Sequence, residues 1–278
     1  MLTIDPKTAA TPIVHKYLLG AVAPRPIAFA STIDADGKLN LSPFSFFNAF
    51  SANPPILIFS PARRVRGNTT KHTLENVLAT NEVVISVVTS SMAQQVSLSS
   101  SDFEKGISEF EKAGFTPIKS NMVKPYCVKE SPVNFECKIN DVIALGSEGG
   151  AGNLVICEVL AIHIDEAILD AENNIDPLKI DLVSRLGGNW YGRTTKDSLF
   201  KINKPAGEIG IGIDQLPEHI RNSAILTGND LAILAESTEV PAKDHAETSE
   251  EKTEEEKHKL AKEYLNQGKA DLAWQILL

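Results

Sequence analysis

Ile27-Ala-Phe-Ala-Ser-Thr-Ile33, then Asp34-Ala-Asp-Gly37, then Lys38-Leu-Asn-Leu-Ser-Pro-Phe44 is the stretch whose reading decides the fold. The first segment is rich in β-branched and aromatic side chains, which suit a pleated, buried surface. The second is a turn sequence in which Gly37 supplies the positive φ that a tight hairpin needs. The third is then the returning strand. Further along, Asn53-Pro54-Pro55 punctuates the chain, and Ile56-Leu-Ile-Phe59 is a short continuous apolar strand of the kind buried on both faces. Glu82-Val-Val-Ile-Ser-Val-Val88 reads the same way, and residues 133–145 and 153–164 are two longer strand candidates. Between these two lies Gly146-Ser-Glu-Gly-Gly-Ala-Gly152. It lacks the GxGxxG spacing, and a strand rather than a helix follows it. It therefore reads as a hairpin connection and not as a nucleotide loop.

Helices are few. A polar loop at 60–70 runs into a helix with Leu74, Val77 and Leu78 on one face, capped by Asn68, Thr69 or Thr70. Residues 90–114 read as mainly helical, with Gly114 as the C-terminal cap. No repeat of 20–50 residues is present. Many strands with few helices between them predict a mainly β fold, a barrel with peripheral helices, over a doubly wound sheet. The character changes near Pro205. The expected organisation is a barrel domain over 1–204, an extension over 205–236, and an acidic linker with a terminal helix over 237–278.

Composition bounds the rest. A chain of 278 residues buries roughly 70–75% of its unfolded surface, enough for a core without disulfides or a structural metal. The net charge of −9 disfavours non-specific binding to nucleic acid or anionic membranes. Ten Asp/Glu and five Lys/Arg lie between residues 236 and 263, a net of −5, which leaves −4 for residues 1–235. Cys127, Cys137 and Cys157 are odd in number and form no CxxC pair, so they read as buried thiols in a reducing compartment. The six histidines show no ligand spacing, and no metal is expected. With no signal-peptide pattern at the N-terminus and no apolar run of about 20 residues, a cytoplasmic protein is expected.

The stretch most informative about chemistry holds Arg63, Arg64, Arg66 and Lys71 around a helix start. Helix N-terminal N–H groups favour anions, Arg offers a planar fork for phosphate oxygens, Lys a point charge, and Thr69, Thr70 and Thr73 hydroxyl donors. The set suits a phosphate monoester; a solvated basic loop is the competing reading. Asn40-Leu-Ser-Pro-Phe-Ser-Phe-Phe-Asn48 mixes small polar donors with aromatics, and can face a flat heteroaromatic ring or simply pack a core.

Pro24-Arg-Pro-Ile-Ala-Phe-Ala-Ser-Thr32, Asp36-Gly37 and Asn40-Leu-Ser-Pro-Phe-Ser-Phe-Phe47 resemble the signature of the flavin reductase-like FMN-binding split-barrel proteins. Asn53-Pro-Pro55, Lys71-His-Thr73, Gly149-Gly-Ala-Gly-Asn-Leu-Val-Ile-Cys-Glu-Val159 and Ser184-Arg-Leu-Gly-Gly-Asn-Trp-Tyr191 follow in the family's order, and the resemblance extends to about residue 235. His72 stands where the family usually has Asp. The resemblance implies a six-stranded Greek-key split β-barrel that forms a homodimer, with FMN bound non-covalently near the interface. Carried onto this chain, the ring and ribityl contacts fall on Phe44, Ser45, Phe46 and Asn48, with Thr32 beside them. The phosphate contacts fall on Ser60, Arg63 or Arg64, Lys71 and Thr73. Arg25 is the candidate for the flavin edge, where a cation stabilises the reduced anion; the alternative is a surface arginine held between two prolines. Tyr191 and Arg193 reach the cofactor from the same or the partner subunit, or pack the interface.

No side chain is expected to be catalytic in its own right. The implied activity is an NAD(P)H:flavin reductase passing electrons to a small-molecule or protein acceptor. A flavoredoxin-like FMN electron carrier without nicotinamide activity is the alternative. A third reading makes the chain an interaction protein built on its acidic C-terminal helix. The segment 262–274 loosely resembles half of a helical repeat, which cannot bury its own face, so it reads as an appendage.

Overall fold

The computed structural model describes residues 1–202, 207, 209–243 and 252–278. Two compact units divide it, Met1–Leu199 and Phe200–Leu278. The 204/205 boundary read from the sequence, Glu208 of the extension, and positions 244–251 of the acidic linker lie outside the described residues.

In the first unit, helix α1 spans Thr11–Ala21, with Pro12 in its first turn, where a missing N–H costs nothing. Strands β1 (Ala28–Ile33), β2 (Leu39–Phe44), β3 (Phe47–Ala52) and β4 (Pro55–Phe59) follow. Then come α2 (His72–Thr80), β5 (Glu82–Ser86), α3 (Ala93–Leu98) and α4 (Glu109–Ala113). A small ladder, β6 (Pro117–Ile118) with β7 (Cys127–Val128), precedes the long β8 (Val133–Ala144) and β9 (Asn153–Ile164). The unit closes with β10 (Val183–Arg185) paired to β11 (Tyr191–Arg193).

The hairpin that opens the sheet is set by Asp34. Its Oδ1 accepts from the backbone N–H of Asp36 and of Lys38, each at 2.9 Å, while Gly37 takes φ +81°. β1 is buried along its whole length, and its period of two divides it between two cores. Ala28 and Ala30 face an inner cluster with Phe44, Phe59, Leu74, Val77, Ile85 and Cys157. Phe29 points the other way, into a cluster with Leu41, Met92, Val96 and Phe110, its ring 5.1 Å from that of Phe115.

The main sheet has seven strands in the order β2-β1-β5-β8-β9-β4-β3, antiparallel throughout. The family resemblance implies six. The order carries a geometric consequence. The two edge strands, β2 and β3, are consecutive in the chain and joined only by Ser45 and Phe46. Three residue steps span at most about 11 Å, so the sheet must curl until its edges meet at that link. Among the described residues no ladder joins the two edges.

Some local expectations are corrected. α2 has Lys71 at its N-cap, with no side-chain cap. The Thr70 hydroxyl is drawn to Glu75 Oε1 at 2.8 Å, and Asn68 donates to the Ser147 carbonyl at 3.0 Å. Leu74 and Val77 are buried, but Leu78 faces solvent. The 90–114 segment breaks into short helices; it does end on Gly114 in the left-handed conformation. All three cysteines are buried free thiols. Burial pushes the Cys137 thiol up to about 12 and Cys157 well above its usual range.

The second unit is helical: α5 (Glu218–Arg221), α6 (Gly228–Ala235), α7 (Glu254–Asn266) and α8 (Ala270–Leu277). α6 and α7 begin with reciprocal capping boxes, Thr227 with Asp230 and Thr253 with Glu256. The extension and the terminal helices, divided at residue 236 in the sequence reading, contribute to one cluster that includes Ile220, Leu234, Leu265 and Trp274. No helix among the described residues is long and apolar enough to cross a membrane.

Candidate functional site

Two cavities of the first unit adjoin along a shared wall of Ser42, Lys71 and Ser100. One, about 250 Å³, is lined by His15, Leu19, Phe44, Ser45, Phe46 and Ser60 in addition to that wall. The other is small and polar, and its lining includes Asn40, Arg64, Thr73, Asp102 and Glu109. Together they form a cleft with aromatic rings and hydroxyls at one end and cations at the other. The Ser45–Phe46 link between the sheet edges lies in its wall, so the curl of the sheet positions the site.

At the cationic end, three donors converge on one oxygen. Asp102 Oδ1 accepts from Arg64 Nη2 at 2.9 Å, Arg64 Nε at 3.1 Å and Lys71 Nζ at 3.0 Å. Lys71 and Arg64 hold the Asp102 carboxyl below the usual carboxylate range. Arg64 also donates Nη1 to Thr69 Oγ1 at 3.2 Å. Arg63 turns back on its own loop, donating Nε to Asn68 Oδ1 and Nη2 to the Asn68 carbonyl, both at 2.6 Å. Of the two arginines that the resemblance leaves open, the structure brings Arg64 to the cleft.

The glycine run at 146–152 supports this loop from behind. Arg63 N donates to the Ala151 carbonyl at 2.8 Å, and Gly150 N donates to the Arg63 carbonyl at 3.0 Å. A Cβ on Gly149 would lie 2.8 Å from the Val65 carbonyl oxygen. The run is the hairpin connection read from the sequence, and it is also a close backbone contact with the cation loop.

Thr73 and Thr32 share a buried polar network. Asn40 Nδ2 donates to Thr73 Oγ1 at 3.0 Å and to Thr32 Oγ1 at 3.1 Å, and Asn76 Nδ2 donates to Thr32 at 3.0 Å. Thr73 borders the small cavity, whereas Thr32 is buried behind Asn40 and does not line the cleft. Ser60 accepts from the Asn153 N–H at 3.1 Å while lining the larger cavity. Phe44 packs against Phe59 at 5.4 Å, and Phe46 meets His15 edge to face at 6.3 Å. Asn48 is exposed, folded onto the Ala49 N–H at 2.8 Å, and lies outside the cleft wall.

Arg25 corrects one of the two readings given for it, the surface arginine. It is 5% exposed and lies behind Ser45 of the cleft wall. Nη1 donates to the Leu19 carbonyl at 2.6 Å and to that of Val22, Nη2 to Leu186 at 3.0 Å, and Nε lies 3.5 Å from Ser45 Oγ. Burial, with Arg185 nearby, lowers its pKa. Arg25 is a brace that ties the end of α1 to the segment after β10, directly behind Ser45. Tyr191 is stacked under the Arg185 guanidinium at 4.4 Å, and Arg193 is paired with Asp181 at 2.7 Å. Neither lines the cleft.

Several site residues carry no local signal in the sequence. His15 and Leu19 come from α1, a helix whose residues are all at least partly exposed and whose apolar pattern is therefore indistinct. Asp102 lies 31 residues from Lys71, in a serine-rich part of the 90–114 segment that reads as mainly helical. Glu109 is buried, accepting from Leu41 N at 2.9 Å, and burial raises its pKa. Away from the cleft, Cys127, Glu136 and His163 come together as closely as the ligands of a metal ion would. The Glu136 oxygens are already filled by the N–H groups of Asn121, Met122 and Val123 and by His163 at 2.6 Å. That saturation makes the cluster an anchor for the 121–123 loop.

A curled antiparallel sheet with flanking helices and a cleft at its joined edges defines the split-barrel class of flavin-handling folds. Residues 20–179 match the family model described as the flavin reductase like domain, and the chain belongs to that family. A protein of Aquifex aeolicus is 37% identical over 189 residues, covering 68% of this chain and 94% of the relative. Nitrilotriacetate monooxygenase component B from Bacillus cereus superposes with a TM-score of 0.68 at 29% identity, covering 73% of this chain and 98% of that structure. The 2-nitrobenzoate 2-nitroreductase NbaA of Pseudomonas fluorescens gives 0.66 at 26% identity, covering 76% and 100%.

Proposed function

We propose that the chain is an FMN-dependent oxidoreductase, an NAD(P)H:flavin reductase working through the cleft between the sheet edges. The observation that carries this reading is the convergence of Arg64 and Lys71 on a single anionic oxygen, at the far end of a cleft whose other end holds Ser45, Phe46 and His15. The donor set fits FMN. Two cations and the hydroxyl of Thr73 suit a phosphate monoester, Ser42, Ser60 and Ser100 suit a polyol chain, and the rings of His15 and Phe46 suit an aromatic head. When bound, the flavin supplies the redox chemistry, taking two electrons and a proton from a nicotinamide donor. The chain's own residues bind and orient. Arg25 fixes the backbone behind Ser45 and so holds the head end of the cleft rigid.

A homodimer with Greek-key barrels and a cytoplasmic location belong to the same reading. The exposed Ile13, Tyr17 and Leu18 of α1 with Val22 just after it, and Leu160, Ile162 and Ile164 of β9, support an apolar partner surface on the first unit. The test is the absorption spectrum of the purified protein with added FMN, followed by anaerobic mixing with NADH and NADPH. Bleaching of the flavin bands by either donor is expected. A bound flavin that neither donor bleaches, but dithionite does, rejects the reductase and leaves an electron carrier.

A further inference from the structure

The oxygen on which Arg64 and Lys71 converge is not a ligand's; it belongs to this chain. Asp102 Oδ1 takes three N–H donors from the two cations, at 2.9, 3.1 and 3.0 Å. We propose that Asp102 is a resident anion in the phosphate seat, filling it when no phosphate is present and displaced when one enters. This rests on the FMN reading above and assigns Asp102 a specificity role within it.

The argument is one of occupancy and charge. A phosphate oxygen is the same kind of acceptor as a carboxylate oxygen and carries more charge. The three donors cannot serve both anions at once. A carboxylate left in contact with a phosphate dianion is repelled by it, so the two must exchange. Asp102 is free to leave. Its side chain is 64% exposed, whereas those of Arg64 and Lys71 are only 24% and 29% exposed. It lies in the connection between α3 and α4 and belongs to no hydrophobic cluster. The cations stay in the wall and the carboxylate turns out to solvent.

Two consequences follow. Asp102 sets a threshold that an incoming anion must exceed, which weakens the hold on the phosphorylated ligand and on stray phosphate alike. It has no effect on a ligand that lacks the phosphate, because that ligand never reaches the seat. The competing possibility is that Asp102 orients the two cations for phosphate, in which case its loss weakens binding.

The sign of one substitution separates these. FMN and riboflavin are titrated by flavin fluorescence at low salt into the full chain and its Asp102→Asn and Asp102→Glu variants. Exchange predicts that Asp102→Asn tightens FMN by about tenfold and leaves riboflavin within about twofold. Asp102→Glu, which keeps the charge, stays near the parent, and inorganic phosphate competes with FMN more strongly in Asp102→Asn than in the parent. If the parent prefers FMN to riboflavin but Asp102→Asn weakens FMN or leaves it unchanged, exchange is overturned and the FMN reading stands. If the parent binds the two flavins equally, the phosphate seat is misassigned and the proposal falls with it.

Discussion

Gly149 lies against Val65 so closely that a single added methyl carbon would lie 2.8 Å from the Val65 carbonyl oxygen and 3.1 Å from that of Arg64. Contacts that short do not persist, so Gly149→Ala must push the loop or the hairpin aside. The loop carries Arg64 to the cleft. The expected outcome is a several-fold loss of FMN affinity, about 1 kcal/mol, with riboflavin affinity little changed. Parallel fluorescence titrations with the two flavins check it.

Arg64 and Lys71 themselves are tested together. Charge-assisted hydrogen bonds to a phosphate contribute about 1.5–3 kcal/mol each. Arg64→Ala with Lys71→Ala is therefore expected to weaken FMN by about a hundredfold or more, and riboflavin far less. Equal losses for both flavins would remove the phosphate from this end of the cleft.

How much of this was legible in the sequence depends on whether a signal is local. The β1–β2 hairpin was readable because Asp34 and Gly37 satisfy their turn within four residues. The cation loop was readable because Arg63, Arg64 and Lys71 are close in the chain. Which arginine faces the cleft was not, since it depends on Asn68 capturing one guanidinium and Asp102 the other. β3 was not named as a strand from the sequence, because its residues are mostly exposed and show no apolar alternation. Arg25 reads as a candidate for the flavin edge or as a surface arginine, and its bracing role was not legible. Its three carbonyl partners come from α1 and from Leu186, which no pattern near residue 25 announces.

Those partners make Arg25 a stability determinant. A buried guanidinium that satisfies three carbonyls leaves them unpaired when it is removed. Arg25→Met is expected to cost about 3 kcal/mol or more, seen as a lower denaturation midpoint in urea. Arg25→Lys recovers only part of this, because an ammonium on a flexible stem cannot reproduce the planar fork. A neutral result for Arg25→Met would mean that solvent replaces those bonds.

Glu136 gives a pH dependence with a definite sign. Burial pushes its carboxyl up, but the N–H groups of Asn121, Met122 and Val123 and the contact with His163 outweigh it, so its pKa lies below the ordinary 4.5. A carboxyl held lower in the folded state than in the unfolded one stabilises the fold above its unfolded pKa. That contribution is lost as pH falls below about 4.5 through the folded value. Glu136→Gln is expected to be clearly less stable than the parent at pH 7, with a gap that narrows toward pH 3. Urea melts at the two pH values measure it; a gap that widens in acid contradicts the assignment.

The helical unit at the C-terminus can be followed by itself, because the chain's two tryptophans differ so much in environment. Trp190 is 76% exposed and Trp274 is 1% exposed, so a red shift of tryptophan emission on unfolding reports mainly Trp274. Trp274 packs in the cluster that also holds Leu265 of α7 and Leu234 of α6, and its Nε1 donates to Ser237 Oγ at 3.0 Å. Leu265→Ala removes buried methyl groups beside it and leaves a cavity, a change that costs about 2–5 kcal/mol. The expected outcome is an earlier red shift in urea. If α7 and α8 were instead a loosely attached tail, their loss of packing would already show in the native protein. Trp274 emission would then be red-shifted before any denaturant is added, and Leu265→Ala would change nothing.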